Sequence, residues 1–227
     1  MMLLIVLLII GAGLAWLHFG LGLWQNALEA EKPTANAQRV AVKVGLEVLY
    51  APGNAIRFPP PSLRRDPAAN FERMDLALHW PSLHGFNEEL EPDFRDPSAQ
   101  APVLRLAVIA YDDPVSEEER YQRVFETNFA AAVDSGIAGL TAHRLAPGSG
   151  YGGEILYESA KPGAAAPDFY IRCSEQTGAA APASCFRRVR IATGLVMEYH
   201  YRRGLLPRWR EIDLALRRYV DAMRRGA

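Results

Sequence analysis

Apolar and polar positions follow different rules in different stretches of the chain. Over residues 1–24 no side chain carries a fixed charge, and the run Leu3-Leu4-Ile5-Val6-Leu7-Leu8-Ile9-Ile10 leads into Trp16, Leu17, Phe19, Leu21, Leu23 and Trp24. A helix rises ~1.5 Å per residue, so about 20 apolar residues cross a bilayer. The segment predicts a membrane anchor, with Trp16 and Trp24 at headgroup level. A cleaved signal peptide is the competing reading. It wants a basic start and a small-residue cleavage site, whereas no Lys or Arg precedes this core and Leu28 sits two residues before the best cleavage position, Ala30. Residues 25–39 are polar and carry Pro33, as a tether does.

Alternation begins next. Val40, Val42, Val44, Leu46 and Val48 occupy every second position, which predicts one strand. Ala51-Pro52-Gly53-Asn54 suits a type II turn, with Ile56 and Phe58 as the returning arm and Pro59-Pro60-Pro61 as its stop. Met74, Leu76, Leu78 and Trp80 form another alternating strand, with Asp75, Ala77 and His79 on its opposite face. Residues 84–102 read as an acidic loop and residues 103–111 as a central strand, nearly all apolar.

Ser116 and Glu119 then form a capping box. It predicts a helix whose buried stripe is Tyr121, Val124, Phe125, Phe129, Ala132 and Val133, ended by Gly136. Shorter strands follow near 138–145, 151–158, 168–173, 185–192 and 195–201, with Pro147-Gly148-Ser149-Gly150 as a turn. A last helix opens at Pro207 and buries Trp209, Ile212, Leu216, Tyr219, Val220 and Met223. The order predicts an α+β domain over residues 40–227, a mostly antiparallel sheet with two packed helices.

Composition narrows the classes. The chain has 227 residues, with a net charge of −1 and 49% hydrophobic residues, so it is neither a disordered chain nor a generic nucleic-acid binder. Cys173 and Cys185 are the only cysteines, one at each end of a soft loop of Gly, Ala, Pro and Ser between two strands. Cross-strand neighbours approach to disulfide distance, so the pair predicts a bridge and an oxidising compartment. The alternative is two unrelated buried thiols. Lys32, Arg39 and Lys43 follow the anchor and argue for the opposite, cytoplasmic orientation, but they are interspersed with Glu29, Glu31 and Glu47. The cysteines weigh more.

Candidate chemistry is thin. His79, Ser82 and His84 lie within six residues and are the candidates for a nucleophile or metal site, yet no zincin frame and no Gly-x-Ser-x-Gly elbow surrounds them. Gly148-Ser149-Gly150-Tyr151-Gly152-Gly153 lacks the Lys of a phosphate loop and reads as a turn. Glu88, Glu89, Glu91, Asp93 and Asp96 lack calcium-loop spacing. No metal and no cofactor is expected.

Charge is unevenly placed. Residues 62–134 hold 15 acidic and 7 basic residues, a net of −8; residues 187–227 hold 11 Arg and 4 acidic residues, a net of +7. On the terminal helix Arg210, Arg217, Arg218, Arg224 and Arg225 lie opposite the apolar stripe. Such a face has three uses: pairing with the acidic segment, resting on anionic lipid, or binding an acidic partner.

Ile56-Arg57-Phe58-Pro59, Asp75-Leu76-Ala77-Leu78-His79-Trp80-Pro81, Gly148-Ser149-Gly150-Tyr151-Gly152, the cysteine pair and Leu206-Pro207-x-Trp209-x-x-Ile212-Asp213 together resemble uncharacterised proteobacterial proteins with one N-terminal transmembrane helix and a presumed periplasmic domain. That resemblance implies topology and transfers no catalytic residue. The expectation is a single-pass inner-membrane protein: anchor 1–24 in the bilayer, tether 25–39, and a periplasmic domain that binds or regulates an envelope component without catalysis. Its partner is an envelope protein or an anionic lipid surface, not nucleic acid. The alternative is an envelope hydrolase acting on peptidoglycan or another local polymer, using His79, Ser82, His84 and the 88–96 loop.

Overall fold

The computed structural model describes residues 34–57, 69–98, 100–111, 114–133, 136–159, 164, 166–175 and 182–226. The expected anchor 1–24, most of the tether, Phe58 and the triple proline lie outside them, as do Asp112 and Asp113. No helix among the described residues is long and apolar enough to cross a membrane.

The fold is α+β. Strands β4 (Arg73–His79), β5 (Val103–Ala110), β6 (Phe129–Val133), β7 (Thr141–Leu145), β8 (Glu154–Ser159), β9 (Phe169–Ser174), β10 (Ser184–Ala192) and β11 (Leu195–Arg202) form one sheet in the order β4-β5-β11-β10-β9-β8-β7-β6. Every neighbouring pair in it is antiparallel. A small sheet holds β1 (Arg39–Val44), β2 (Glu47–Pro52) and β3 (Asn70–Phe71) in the order β2-β1-β3. The α-helical segments are α1 (Glu91–Arg95), α2 (Glu117–Arg120) and the long terminal α3 (Trp209–Arg225).

Alternation decides which side chains share a face. On one face of the large sheet Leu76, Leu106, Met197 and Ile171 are buried in a core shared with Val42, Val44 and Leu49 of the small sheet. Trp209, Ile212, Leu216, Val220 and Met223 of α3 complete it, which is the stripe expected from sequence. Among the described residues the opposite face is covered at its β7–β9 end, where Tyr121 and Phe125 pack on Leu145, Leu156 and Tyr170, and α1 lies at its β4 edge, where Asp93 bonds His79.

Several expectations need correction. The alternating run 40–48 is two strands, not one: Val44 pairs with Glu47 across a two-residue turn at Gly45-Leu46, and Gly45 has φ +60°. Glycine adopts that φ without steric cost, as a hairpin turn requires. Antiparallel pairing sets Val42 opposite Leu49, so buried positions are even before the turn and odd after it. Leu49 is fully buried, whereas Leu46 and Val48 are 99% and 41% exposed. The returning arm expected after Pro52 is a short 3₁₀ turn, and Ile56 makes a single bridge to Leu76.

The helix expected to reach Gly136 is much shorter. It starts as predicted, with the Ser116 Oγ accepting from the Glu119 N–H. It then widens into a π-helical turn over Tyr121–Phe125, tightens over Glu126–Asn128 and gives way to β6. The Asn128 amide donates to the Val124 carbonyl, ending the helical ladder, and the next residues gain strand partners on β7. Tertiary pairing overrides the helix propensity of the alanines there. Pro207 lies in a 3₁₀ segment, Arg203–Arg208, that precedes α3 rather than in its first turn.

Candidate functional site

Among the described residues the less covered half of that face is built by β4, β5, β11 and β10. Register places Ala77 opposite Arg105, Arg105 opposite His200, His200 opposite Phe186, and Phe186 opposite Arg172. One cross-strand row therefore carries two arginines, a histidine and a phenylalanine on the same face. No residue of the row neighbours the next in sequence.

Two concavities flank the row. The first, of about 280 Å³, is lined by Arg57, Arg105, Arg202, His200, Asp93 and Phe94, among others. The second, of about 250 Å³, is lined by Arg120, Phe125, Tyr151, Tyr170, Arg172 and Phe186, among others. The Phe186 and His200 rings, 4.6 Å apart, stand between them. Arg172 lies 4.6 Å above the Tyr151 ring and 5.0 Å above Phe186, and it pairs with Glu154 at 2.6 Å.

The first concavity is lined by four guanidinium groups and three carboxylates. Burial lowers the Arg57 pKa, and the nearby Arg105 charge lowers it further against Asp75. Burial also lowers that of His200; Glu198 opposes this, while Arg105, Arg73 and Arg172 reinforce it. Its carboxylates act within it, Asp75 on Arg57 and Asp96 on Arg202. Asp75 holds Arg73 at 2.9 Å, Asp93 holds His79 Nε2 at 3.0 Å, and Asp96 accepts the Ser98 N–H at 2.7 Å. Arg105 and Arg202 have no ion-pair partner among the described residues.

The residues singled out from sequence divide into three groups. His79 and Ser82 are brought together, Nδ1 to Oγ at 3.1 Å, and Asp93 joins them through Nε2. The set is locally determined: the Ser82 Oγ also accepts the His84 N–H at 3.3 Å, inside a turn in which Leu83 N–H donates to the His79 carbonyl. His84 contributes its backbone, its carbonyl accepting the His79 N–H at 2.8 Å. No group of three or more His, Cys, Asp or Glu suited to a metal occurs among the described residues. Cys173 and Cys185 are directly opposite in register and form a disulfide. On α3, Arg217 pairs with Asp213, and Arg224 with Glu47 and Asp221. None of these carboxylates belongs to the acidic segment 62–134. Arg210, Arg218 and Arg225 are exposed.

Sequence reasoning missed Arg57, Arg105, Arg172, Phe186, His200 and Arg202. They come from five separate segments, so no spacing marks them. The available signal was the outward parity of β10 and β11, where Arg188, Arg190, His200 and Arg202 alternate with buried residues.

No family model matches the chain, and no curated protein matches it. The fold, a large antiparallel sheet with a small sheet and a terminal helix packed on one face, has solved counterparts. It is similar to an immunity protein of the Stenotrophomonas maltophilia type IV secretion system, at TM-score 0.54 and 16% identity, over 82% of this chain and 93% of that one. A weaker likeness, TM-score 0.43 and 12% identity, is to the Neisseria meningitidis iron-regulated outer membrane lipoprotein FrpD, over 84% of this chain and 96% of that one. The first likeness is one of fold; both neighbours are bacterial proteins.

Proposed function

We propose that this chain is an immunity-type protein of the bacterial envelope, which binds another protein and restrains it. The carrying observation is the fold shared with an immunity protein along most of both chains. The disulfide adds to it, because such bonds persist in oxidising compartments. In this reading residues 1–24 anchor the chain in the inner membrane, residues 25–39 tether it, and residues 40–227 face the periplasm. The anchor rests on the apolar sequence alone. Binding uses the domain surface and involves no catalytic step. Arg210, Arg218 and Arg225 on α3 form a second contact, toward the partner or an anionic lipid surface.

A contact-competition assay tests the reading. A strain deleted for this gene is grown on a solid surface with its parent. Loss of the deletion strain by killing, reversed by the full chain and absent in dilute liquid culture, is the expected result. Equal survival on the surface refutes immunity.

A further inference from the structure

We propose that the outer face of the β1–β2 hairpin is a membrane-docking surface, which rests on an anionic bilayer with Leu46 inserted among the headgroups. The inference rests on the membrane-anchor part of the reading above. It assigns the face that the domain turns toward that membrane.

The argument starts from exposure. Among the described residues the exposed large apolar side chains are Leu46, Val48, Tyr50, Tyr111 and Leu214. Three of them belong to one hairpin. Leu46 stands at its turn, and Val48 and Tyr50 follow on the outward side of β2, while Leu49 and Ala51 point into the core. A fourth is near: Ala110 packs against Gly45 of the same turn, and Tyr111 is the next residue. Apolar side chains scattered singly are ordinary, whereas a cluster marks a contact.

Charge names the occupant. Register sets Lys43 opposite Val48 and Ala41 opposite Tyr50, with Arg39 opposite Pro52 at the far end. Cross-strand partners share a face. This face therefore carries two cations beside a valine and a tyrosine, with the leucine at its tip. The one carboxylate of the two strands, Glu47, has the opposite parity and holds Arg224 of α3 at 3.3 Å. Basic, aliphatic and aromatic groups on one face suit a bilayer surface. Apolar groups enter the acyl boundary, tyrosine sits at headgroup level, and Lys and Arg meet lipid phosphates. A second copy of this face would bring further cations to it and no counter-charge.

Chain length permits the contact. The apolar run ends at Trp24, and β1 begins at Arg39. At ~3.3 Å per residue the stretch between them spans at most about 50 Å. A bilayer that holds residues 1–24 thus stays within reach of the hairpin. Such tethering raises the effective concentration of lipid at the face, so a weak contact is populated.

The test uses the full chain in vesicles of phosphatidylcholine and phosphatidylglycerol. Cys173 and Cys185 are bonded to each other, so Val48→Cys supplies a single free thiol for a nitrobenzoxadiazole label. Doxyl-labelled lipid quenches that label on contact. Strong quenching is expected at position 48, and little at Leu214→Cys, a comparably exposed apolar site on α3. Leu46→Asp and Lys43→Glu each reduce the docked population about fivefold or more. Phosphatidylcholine vesicles without the anionic lipid reduce it in the same direction, and melting curves confirm that each variant is folded. An unquenched label at position 48, equal quenching at position 214, or indifference to both substitutions overturns the proposal. So does a blue-shifted label that lipid does not quench and that dilution in lipid abolishes, since the face then meets a second copy.

The two readings fail separately. Extraction with alkaline carbonate reads the anchor. A chain that resists extraction but carries an unquenched label keeps the anchor and removes the docking face. A chain that alkali extracts, yet is quenched at neutral pH, removes the anchor and keeps the docking face.

Discussion

Arg187 of β10 and Asp213 of α3 form an ion pair in the closed interior, where they tie the sheet to the terminal helix. Arg187 is 4% exposed. Tyr199 donates to the same carboxylate at 2.8 Å, Arg217 reaches its other oxygen at 2.8 Å, and the Asp168 carbonyl accepts from Arg187. Burial alone raises the Asp213 pKa, but the charges of Arg187 and Arg217 and the Tyr199 hydroxyl outweigh it and hold the carboxyl below its ordinary value. Removing one member of a buried pair strands the other and costs about 3–5 kcal/mol. Arg187→Met is therefore expected to lower the urea midpoint by that equivalent, and Asp213→Asn to lower it in the same direction. A pair that contributes nothing leaves both midpoints in place.

The same pair carries a pH dependence of known sign. A carboxyl with a depressed folded pKa stabilises the fold fully above its unfolded value, and that stability is lost as pH falls through the folded value. The stability difference between wild type and Asp213→Asn should thus be constant from neutral pH down to about 4 and shrink below it. Urea midpoints at pH 7 and pH 3 measure this. A difference unchanged at pH 3 contradicts the depressed pKa.

The Cys173–Cys185 bond joins residues 12 apart in sequence. Closing a loop of that size restricts the unfolded chain and stabilises by roughly 3 kcal/mol. For a domain of this size 1 kcal/mol corresponds to about 2–4 °C, so reduction by dithiothreitol should lower Tm by roughly 6–12 °C. Scanning calorimetry with and without reductant decides it.

Tyr121 fastens the cover at the β7–β9 end of the large sheet. Its hydroxyl donates to Glu158, which is 8% exposed and also bonded to His143. Tyr121→Phe deprives a buried carboxylate of a donor, at a cost of about 1–3 kcal/mol. Hydrogen exchange should quicken first in residues 117–128. Uniform loosening across the sheet speaks against a local fastening.

Ser82 is the remaining catalytic candidate, and its hydroxyl is bound into a turn by the His84 N–H. Labelling of the intact chain by a fluorophosphonate is expected to be negligible and to be no lower in Ser82→Ala. Stoichiometric labelling abolished by that substitution revives the hydrolase reading.

Local pattern made much of the framework legible. Alternation marked β4, an apolar run marked β5, the flanks of the cysteine loop marked β9 and β10, and the spacing of Trp209, Ile212, Leu216 and Val220 marked α3, because a buried stripe repeats every strand or helix period. It misled at Gly45, where an unbroken alternation passed through a hairpin turn that flips the buried parity. It misled again after Asn128, where alanines with helical preference joined a sheet edge.

By itself the sequence determined the apolar character of residues 1–24, the α+β order, the cysteine pair and the inward face of β4 and α3. Tertiary structure alone decided that Arg105, His200, Phe186 and Arg172 stand in one row. The reason is physical. Periodicity records which way a side chain points from its own backbone. Which strands lie side by side, and which face a helix goes on to cover, is set by pairings between residues far apart in the chain.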